Sequence, residues 1–151
     1  PQPLQPGNGT AAQPPVAALP TAGTPKGDFD IASAVLDRGE LDAAEAAFRD
    51  FVKKYPKDKL KPDALFNLGE SFYRRNRYRE AAEQYLVITT EHGQSGRAAE
   101  AMLKLGMSLR GLGATAEACG TYGEVGKKYP KASAAVKQAV EREKKRAQCA
   151  A

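Results

Sequence analysis

Leu65-Phe66-Asn67-Leu68-Gly69-Glu70-Ser71-Phe72-Tyr73, followed after a short break by Tyr78-Arg79-Glu80-Ala81-Ala82-Glu83-Gln84-Tyr85-Leu86-Val87-Ile88, decides the fold. Leu65, Leu68 and Phe72, and then Tyr78, Ala81, Tyr85 and Ile88, recur at spacings of three and four, which lines one face on each of two helices. Shifting the chain by 37 residues superposes this stretch on its neighbours. Ile31, Leu68 and Leu105 then align, as do Ala32, Gly69 and Gly106, and Val35, Phe72 and Leu109. In the second half Leu41 falls on Tyr78, and three further columns read Ala44, Ala81, Ala118; Phe48, Tyr85, Tyr122; and Phe51, Ile88, Val125. Tyr55-Pro56 returns as Tyr129-Pro130 two periods on. A fixed period of this length marks a stacked architecture in which each unit buries its apolar face only against its neighbours.

Each period reads as helix, turn, helix. Arg38-Gly39-Glu40, Arg75-Asn76-Arg77 and Leu112-Gly113-Ala114 separate the two helices, and Gly or Asn at the centre can take the left-handed conformation that closes a helix. Pro62 with Asp63 is a helix start, because Pro costs nothing at the first position and an acid suits the dipole. Pro56 and Pro130 end second helices by disfavouring the α conformation of the residue before them. The small residues point to a close crossing within a hairpin: Ala32, Gly69 and Gly106 on the first helix, Ala44, Ala81 and Ala118 on the second. Phe48, Tyr85 and Tyr122 are expected to fill the space between one hairpin and the next. Gly69 and Gly106 each cost about 1 kcal/mol of helix propensity relative to Ala, which a close contact would explain. The expected fold is all-α: a right-handed superhelix of three helix-turn-helix repeats (about 28–61, 62–98 and 99–131), closed by a capping helix at 132–149 that carries Val136, Ala139, Val140 and Ala147.

Residues 1–27 read differently. Seven of the ten prolines lie there (Pro1, Pro3, Pro6, Pro14, Pro15, Pro20, Pro25), with Gly7, Gly9, Gly23 and Gly27 and a single charge at Lys26. Such a stretch is expected to be a disordered or extended linker, leaving 28–151 as the folded domain. No run approaches the roughly 20 apolar residues that span a bilayer, and no secretory signal opens the chain. It begins with Pro, not Met, which reads as a processed protein or a part of a longer one. The net charge is +5, from 23 basic and 18 acidic residues, and much of the excess lies in Lys127, Lys128, Lys131, Lys137, Arg142, Lys144, Lys145 and Arg146. With Glu141 and Glu143 interleaved, this reads as the solvated face of a terminal helix. It can also steer an acidic partner, but no aromatic platform or motif for nucleic acid accompanies it.

The spacing Leu65-x-x-Leu68-Gly69-x-x-Phe72, then Ala81-x-x-x-Tyr85 and a break at Gly93, resembles the tetratricopeptide repeat (TPR), W-x-x-L-G-x-x-Y…A-x-x-x-F…P. The third repeat follows with Met102, Leu105, Gly106, Leu109, Ala118, Tyr122 and Pro130, while the first departs from the pattern at its start and conforms later, at Ala44, Phe48 and Pro56. The period exceeds the usual length of about 34 residues, which lengthens the turns between repeats. The Pro-rich segment together with Phe51-Val52-Lys53-Lys54-Tyr55-Pro56, Leu68-Gly69-Glu70-Ser71-Phe72-Tyr73 and Lys104-Leu105-Gly106-Met107-Ser108-Leu109 is similar to the C-terminal domain of the YbgF/CpoB family. These are Tol-Pal-associated cell-division coordinators of the Gram-negative periplasm. The resemblance implies a non-catalytic scaffold linking the Tol-Pal system to septal peptidoglycan synthesis. Its implied partners are TolA and a bifunctional penicillin-binding peptidoglycan synthase, and it implies trimerisation through an N-terminal coiled coil outside this sequence. The same motifs occur in BamD-like outer-membrane lipoproteins, so the alternative is a structural subunit of an outer-membrane assembly complex.

Catalytic chemistry has no foothold in the pattern. The single histidine, His92, ends a second helix where the other repeats have Tyr55 and Tyr129, and a zinc site would need ligands that no spacing supplies. No nucleophile with a base and no phosphate loop is visible, so neither enzyme activity, cofactor nor metal is expected. Cys119 and Cys149, 30 residues apart, fit neither a redox Cys-x-x-Cys nor a zinc ribbon. Counting outward from a turn near residue 131 leaves them mismatched by roughly 9 Å along antiparallel helices at 1.5 Å per residue, a gap that a folded-back tail would close. In an oxidising compartment they form a disulfide pinning the cap; the alternative is a buried Cys119 and a free Cys149.

A partner is expected on the concave side, where the first helices present residues off the packing face. These are Phe29, Ser33 and Leu36; Asp63, Phe66, Glu70, Tyr73 and Arg74; and Glu100, Leu103, Met107 and Arg110. Phe29, Phe66, Tyr73, Leu103 and Met107 are expected to form an apolar stripe flanked by charge, the material of binding hot spots. TPR domains that clamp a C-terminal carboxylate use Lys and Asn here; Phe29 and Ser33 depart from that and favour an apolar helix or extended segment.

Overall fold

The computed structural model describes residues 22–150. Among them run seven helices and no strand: α1 Pro25–Asp37, α2 Leu41–Lys54, α3 Lys61–Tyr73, α4 Tyr78–Glu91, α5 Ala98–Gly111, α6 Thr115–Lys128 and α7 Ala134–Arg146. The first six form three successive hairpins, and the second helices open at Leu41, Tyr78 and Thr115, one 37-residue period apart. Helix α1 begins inside the segment that composition assigned to the linker. Pro25 sits in its first turn, where a missing N–H costs nothing, and Thr24 caps it by accepting from the Gly27 N–H at 3.1 Å. The rest of the expected linker, 1–21, lies outside the described residues.

The turns inside the hairpins close by one mechanism. Gly39 (φ +75°), Asn76 (φ +59°) and Gly113 (φ +83°) are left-handed. The next N–H reaches back five residues, from Glu40 to Val35 O (3.2 Å), Arg77 to Phe72 O (3.0 Å) and Ala114 to Leu109 O (2.9 Å). The periodic columns then fill the interior, with Val35, Phe48, Phe51, Phe72, Tyr85, Ile88, Tyr122 and Val125 all at most 2% exposed. One expectation about that packing changes. Tyr85 and Tyr122 lie inside their own hairpins as well as facing the next: a Cβ on Gly69 would meet the Tyr85 ring at 2.6 Å, and one on Gly106 the Tyr122 ring at 2.5 Å. Glycine is there to admit an aromatic ring, not to bring two backbones together.

Helix α7 is shorter than the expected 132–149. Ser133 caps it through Val136 N–H at 3.2 Å, and Val140, Glu143 and Ala147 are its buried contacts. At the other end Gln148 is left-handed (φ +55°) and Cys149 N–H returns to Lys144 O at 2.9 Å. The reversal folds Cys149 back beside the last turn of α7, recovering about 5 Å of the axial mismatch. Cys149 is bonded to Cys119 of α6, with Cα atoms 5.6 Å apart.

Candidate protein-binding groove

The first helices and the cap adjoin in the order α1, α3, α5, α7 and share one surface. Three residues expected to line it do not. Leu36, Phe66 and Leu103 are only 5–6% exposed and belong to the core. Each follows directly on a packing-face residue (Val35, Leu65, Met102), and the next first helix covers that flank. Phe66 packs against Tyr85 with ring centroids 5.6 Å apart and lies 4.7 Å beneath the Arg97 guanidinium. Phe29, on the outermost hairpin, is half-buried and edge-on to Phe48 and Phe51, each at 5.8 Å. A signal for this was present: Phe29, Phe66, Leu103 and Val140 form a column at the repeat period that stays apolar in every helix, as a core column does.

What remains accessible is a charged layer over two soft side chains. Tyr73 and Met107 are half-buried, while Arg74 and Arg110 are exposed. Ion pairs tie one repeat to the next: Asp63 with Arg97 at 2.7 Å, Glu70 with Lys104 at 3.0 Å, and Arg110 with Glu143 at 3.8 Å. The Lys104 ammonium also stands 4.8 Å over the Tyr73 ring, and Arg74 donates to the Leu36 carbonyl at 3.5 Å. Of these, Asp63–Arg97 is a partly exposed pair and contributes about 0–1 kcal/mol; all three set the register of one repeat on the next. Burial, and then the neighbouring Tyr78, Glu143 and Glu70, push the Tyr73 phenol above its ordinary range.

Two features escaped the sequence reading. Glu143 is not on the solvated face; it is 2% exposed and flanked by Arg110, Arg142 (3.8 Å) and Arg146 (3.1 Å). It stands one period beyond Gly106, and that column always faces the array. The second is an asymmetry. The Tyr85 hydroxyl donates to Glu70 at 2.7 Å, and burial drives its pKa far upward. In the third repeat Met107 replaces that carboxylate, so the Tyr122 hydroxyl is buried with no partner among the described residues, its pKa pushed up to about 12 by burial and then by Glu143. Ser33, in the same column on α1, likewise holds a buried hydroxyl without a partner.

His92 is the C-cap of α4, as Tyr55 and Tyr129 are of α2 and α6. Among the described residues no three potential ligands cluster to hold a metal, and no helix is long and apolar enough to cross a membrane.

Residues 29–96 and 100–132 match family descriptions of the tetratricopeptide repeat. Among solved structures, the chain is similar to the crystal structure of the Sgt2 TPR domain from Aspergillus fumigatus, with a TM-score of 0.68 at 17% identity, over 85% of this chain and 82% of that one. No curated protein matched the sequence significantly. At that identity the likeness speaks for the fold, and it agrees with hairpins that repeat every 37 residues. The chain therefore carries a tetratricopeptide-repeat domain, an all-helical scaffold of the protein-binding type.

Proposed function

We propose that this chain is a periplasmic TPR adaptor joining the Tol-Pal system to septal peptidoglycan synthesis, with TolA and a bifunctional penicillin-binding synthase as its partners. The observation that carries the reading is a disulfide, Cys119–Cys149, placed to hold the cap of an interaction scaffold. Such a bond suits an oxidising compartment. The similarity of the repeats to the YbgF/CpoB family supplies the system. Glu70, Tyr73, Arg74, Met107 and Arg110 would form the contact surface, with Phe29 at its edge. An aromatic ring and a thioether between two arginines suit the apolar face of a partner helix or an extended segment.

The test is affinity capture from envelope extract with the full chain. Wild type retains TolA and the synthase, and Tyr73→Ala with Met107→Ala loses them while keeping its helical circular dichroism. Phe66 is unsuited to this test, because its removal would damage the core. Undiminished capture by the double variant would dispose of the groove. Capture of outer-membrane assembly subunits in place of TolA would favour the alternative role.

A further inference from the structure

The N-terminal ends of α3, α5 and α7 meet around an open cleft of about 890 Å³. It adjoins the groove just described at the Asp63–Arg97 pair but is centred elsewhere, because Asp63 in the cleft and Tyr73 in the groove sit at opposite ends of α3, roughly 15 Å apart at 1.5 Å per residue. Four cations border it, Lys59, Arg97, Lys128 and Lys131, against the two carboxylates of Asp63 and Glu100. Arg97 takes up both carboxylates, each at 2.7 Å. Lys59, Lys128 and Lys131 are exposed and have no carboxylate partner among the described residues. Ser95 and Tyr129 are also part of the lining. No side chain caps α3 or α5, so the positive ends of both helices face the same space.

We propose that this cleft is a second docking site, which takes an acidic, extended peptide segment of a protein partner. Free cations converging in a concavity focus the field on an anionic ligand, and the volume falls within the roughly 300–1,000 Å³ of ordinary ligand sites. Pro62, Pro130 and Val136 add apolar wall beside the lysines, which suits the methylene stems of Asp and Glu. A nucleic acid would want open aromatic faces for its bases, and Tyr129, the one ring in the lining, is half-buried. A membrane surface is too flat to enter the concavity. The proposal rests on the reading of the chain as a protein-binding scaffold and is independent of which protein occupies the groove.

The experiment is fluorescence anisotropy of a labelled Asp/Glu octapeptide and its Asn/Gln twin, titrated with the full chain. Lys59→Glu/Lys128→Glu/Lys131→Glu is compared with Lys127→Glu/Lys137→Glu/Lys145→Glu, which changes net charge equally outside the cleft. All six lysines are exposed, so both variants keep the fold, which circular dichroism checks. Wild type binds the acidic peptide and not the twin; the cleft variant weakens binding about tenfold or more, and the control by less than about threefold. The groove variant Tyr73→Ala/Met107→Ala binds the peptide like wild type, which separates failure here from failure of the groove. Equal weakening by both lysine triples, no binding at about 25 mM salt where screening is weak, or tighter binding of oligothymidine or phosphatidylglycerol vesicles would each overturn the proposal.

Discussion

Replacing Gly106 by Ala should destabilise the domain, although alanine is the better helix former. A Cβ built there would sit 2.5 Å from Cε1 and 2.7 Å from Cδ1 of Tyr122, against an ordinary carbon contact of about 3.5–4.0 Å. The ring would have to retreat by roughly 1 Å, yet Tyr122 is fully buried. Overpacking of this kind costs about 1–3 kcal/mol, while the gain in helix propensity is about 1 kcal/mol. The net expectation for Gly106→Ala is a loss of up to about 2 kcal/mol, with none of the gain that helix propensity alone would give. Gly120 and Gly126, on α6, supply the control, since a Cβ at either meets nothing within 4 Å. Gly120→Ala and Gly126→Ala should each stabilise by about 0.5–1 kcal/mol. The assay is urea unfolding followed by circular dichroism, with the midpoint shifting in opposite directions for the two classes at unchanged slope. Trimming the ring in Gly106→Ala/Tyr122→Leu should cost less than the sum of the two single changes. If Gly106→Ala gains stability as Gly120→Ala and Gly126→Ala do, the account of a ring seated on glycine is wrong.

Tyr85→Phe should cost about 0.5–1.5 kcal/mol through the lost hydrogen bond to Glu70, whereas Tyr122→Phe, removing a hydroxyl without a partner, should be neutral or stabilising; thermal melts of the two variants decide. Reducing Cys119–Cys149 removes a 30-residue closure worth about 3.5 kcal/mol in the chain-entropy treatment. Because α7 has 13 residues and buries only Val140 and Glu143 of its own, it should open before the array does. Amide exchange should then rise selectively over 134–150, and uniform protection after reduction would contradict this. For acid, the hydrogen bond from the Tyr55 hydroxyl at 2.7 Å leads in holding the Asp28 carboxyl below its usual range. Desolvation pushes the Glu45 carboxyl up, but hydrogen bonds from Arg75 and Arg49 outweigh it and leave it low as well. Depressed carboxyl values contribute stability that is complete above the unfolded values of about 4 and is lost as pH falls through the folded ones. Melting temperature should therefore fall below about pH 4, and Glu45→Gln should flatten that slope; an unchanged slope would remove Glu45 from the account.

The architecture was legible because each packing column repeats, and Gly39, Asn76 and Gly113 mark the hairpin turns at the same period. What a helical period does not report is the width of the buried arc. Leu36, Phe66 and Leu103 lie one residue past the packing face, and only the distance to the next first helix decides on which side of the boundary they fall. Glu143 was hidden for a different reason: carboxylates default to solvent, and its burial depends on Arg110 arriving from α5 and two arginines from its own helix. Cys149 reached Cys119 through a left-handed Gln148, a conformation that sequence rarely announces outside Gly and Asn. Repetition itself therefore separates structure from recognition. The column Phe29, Phe66, Leu103, Val140 keeps its chemistry through every unit and is buried at all but the outermost, half-buried Phe29, whereas Ser33, Glu70, Met107 and Leu36, Tyr73, Arg110 change theirs at each step. A core formed by stacking like units needs like side chains. A surface that must distinguish one partner from another cannot be the same in each repeat, and Met107 shows the cost of the difference, because choosing a thioether there leaves the Tyr122 hydroxyl without its acceptor.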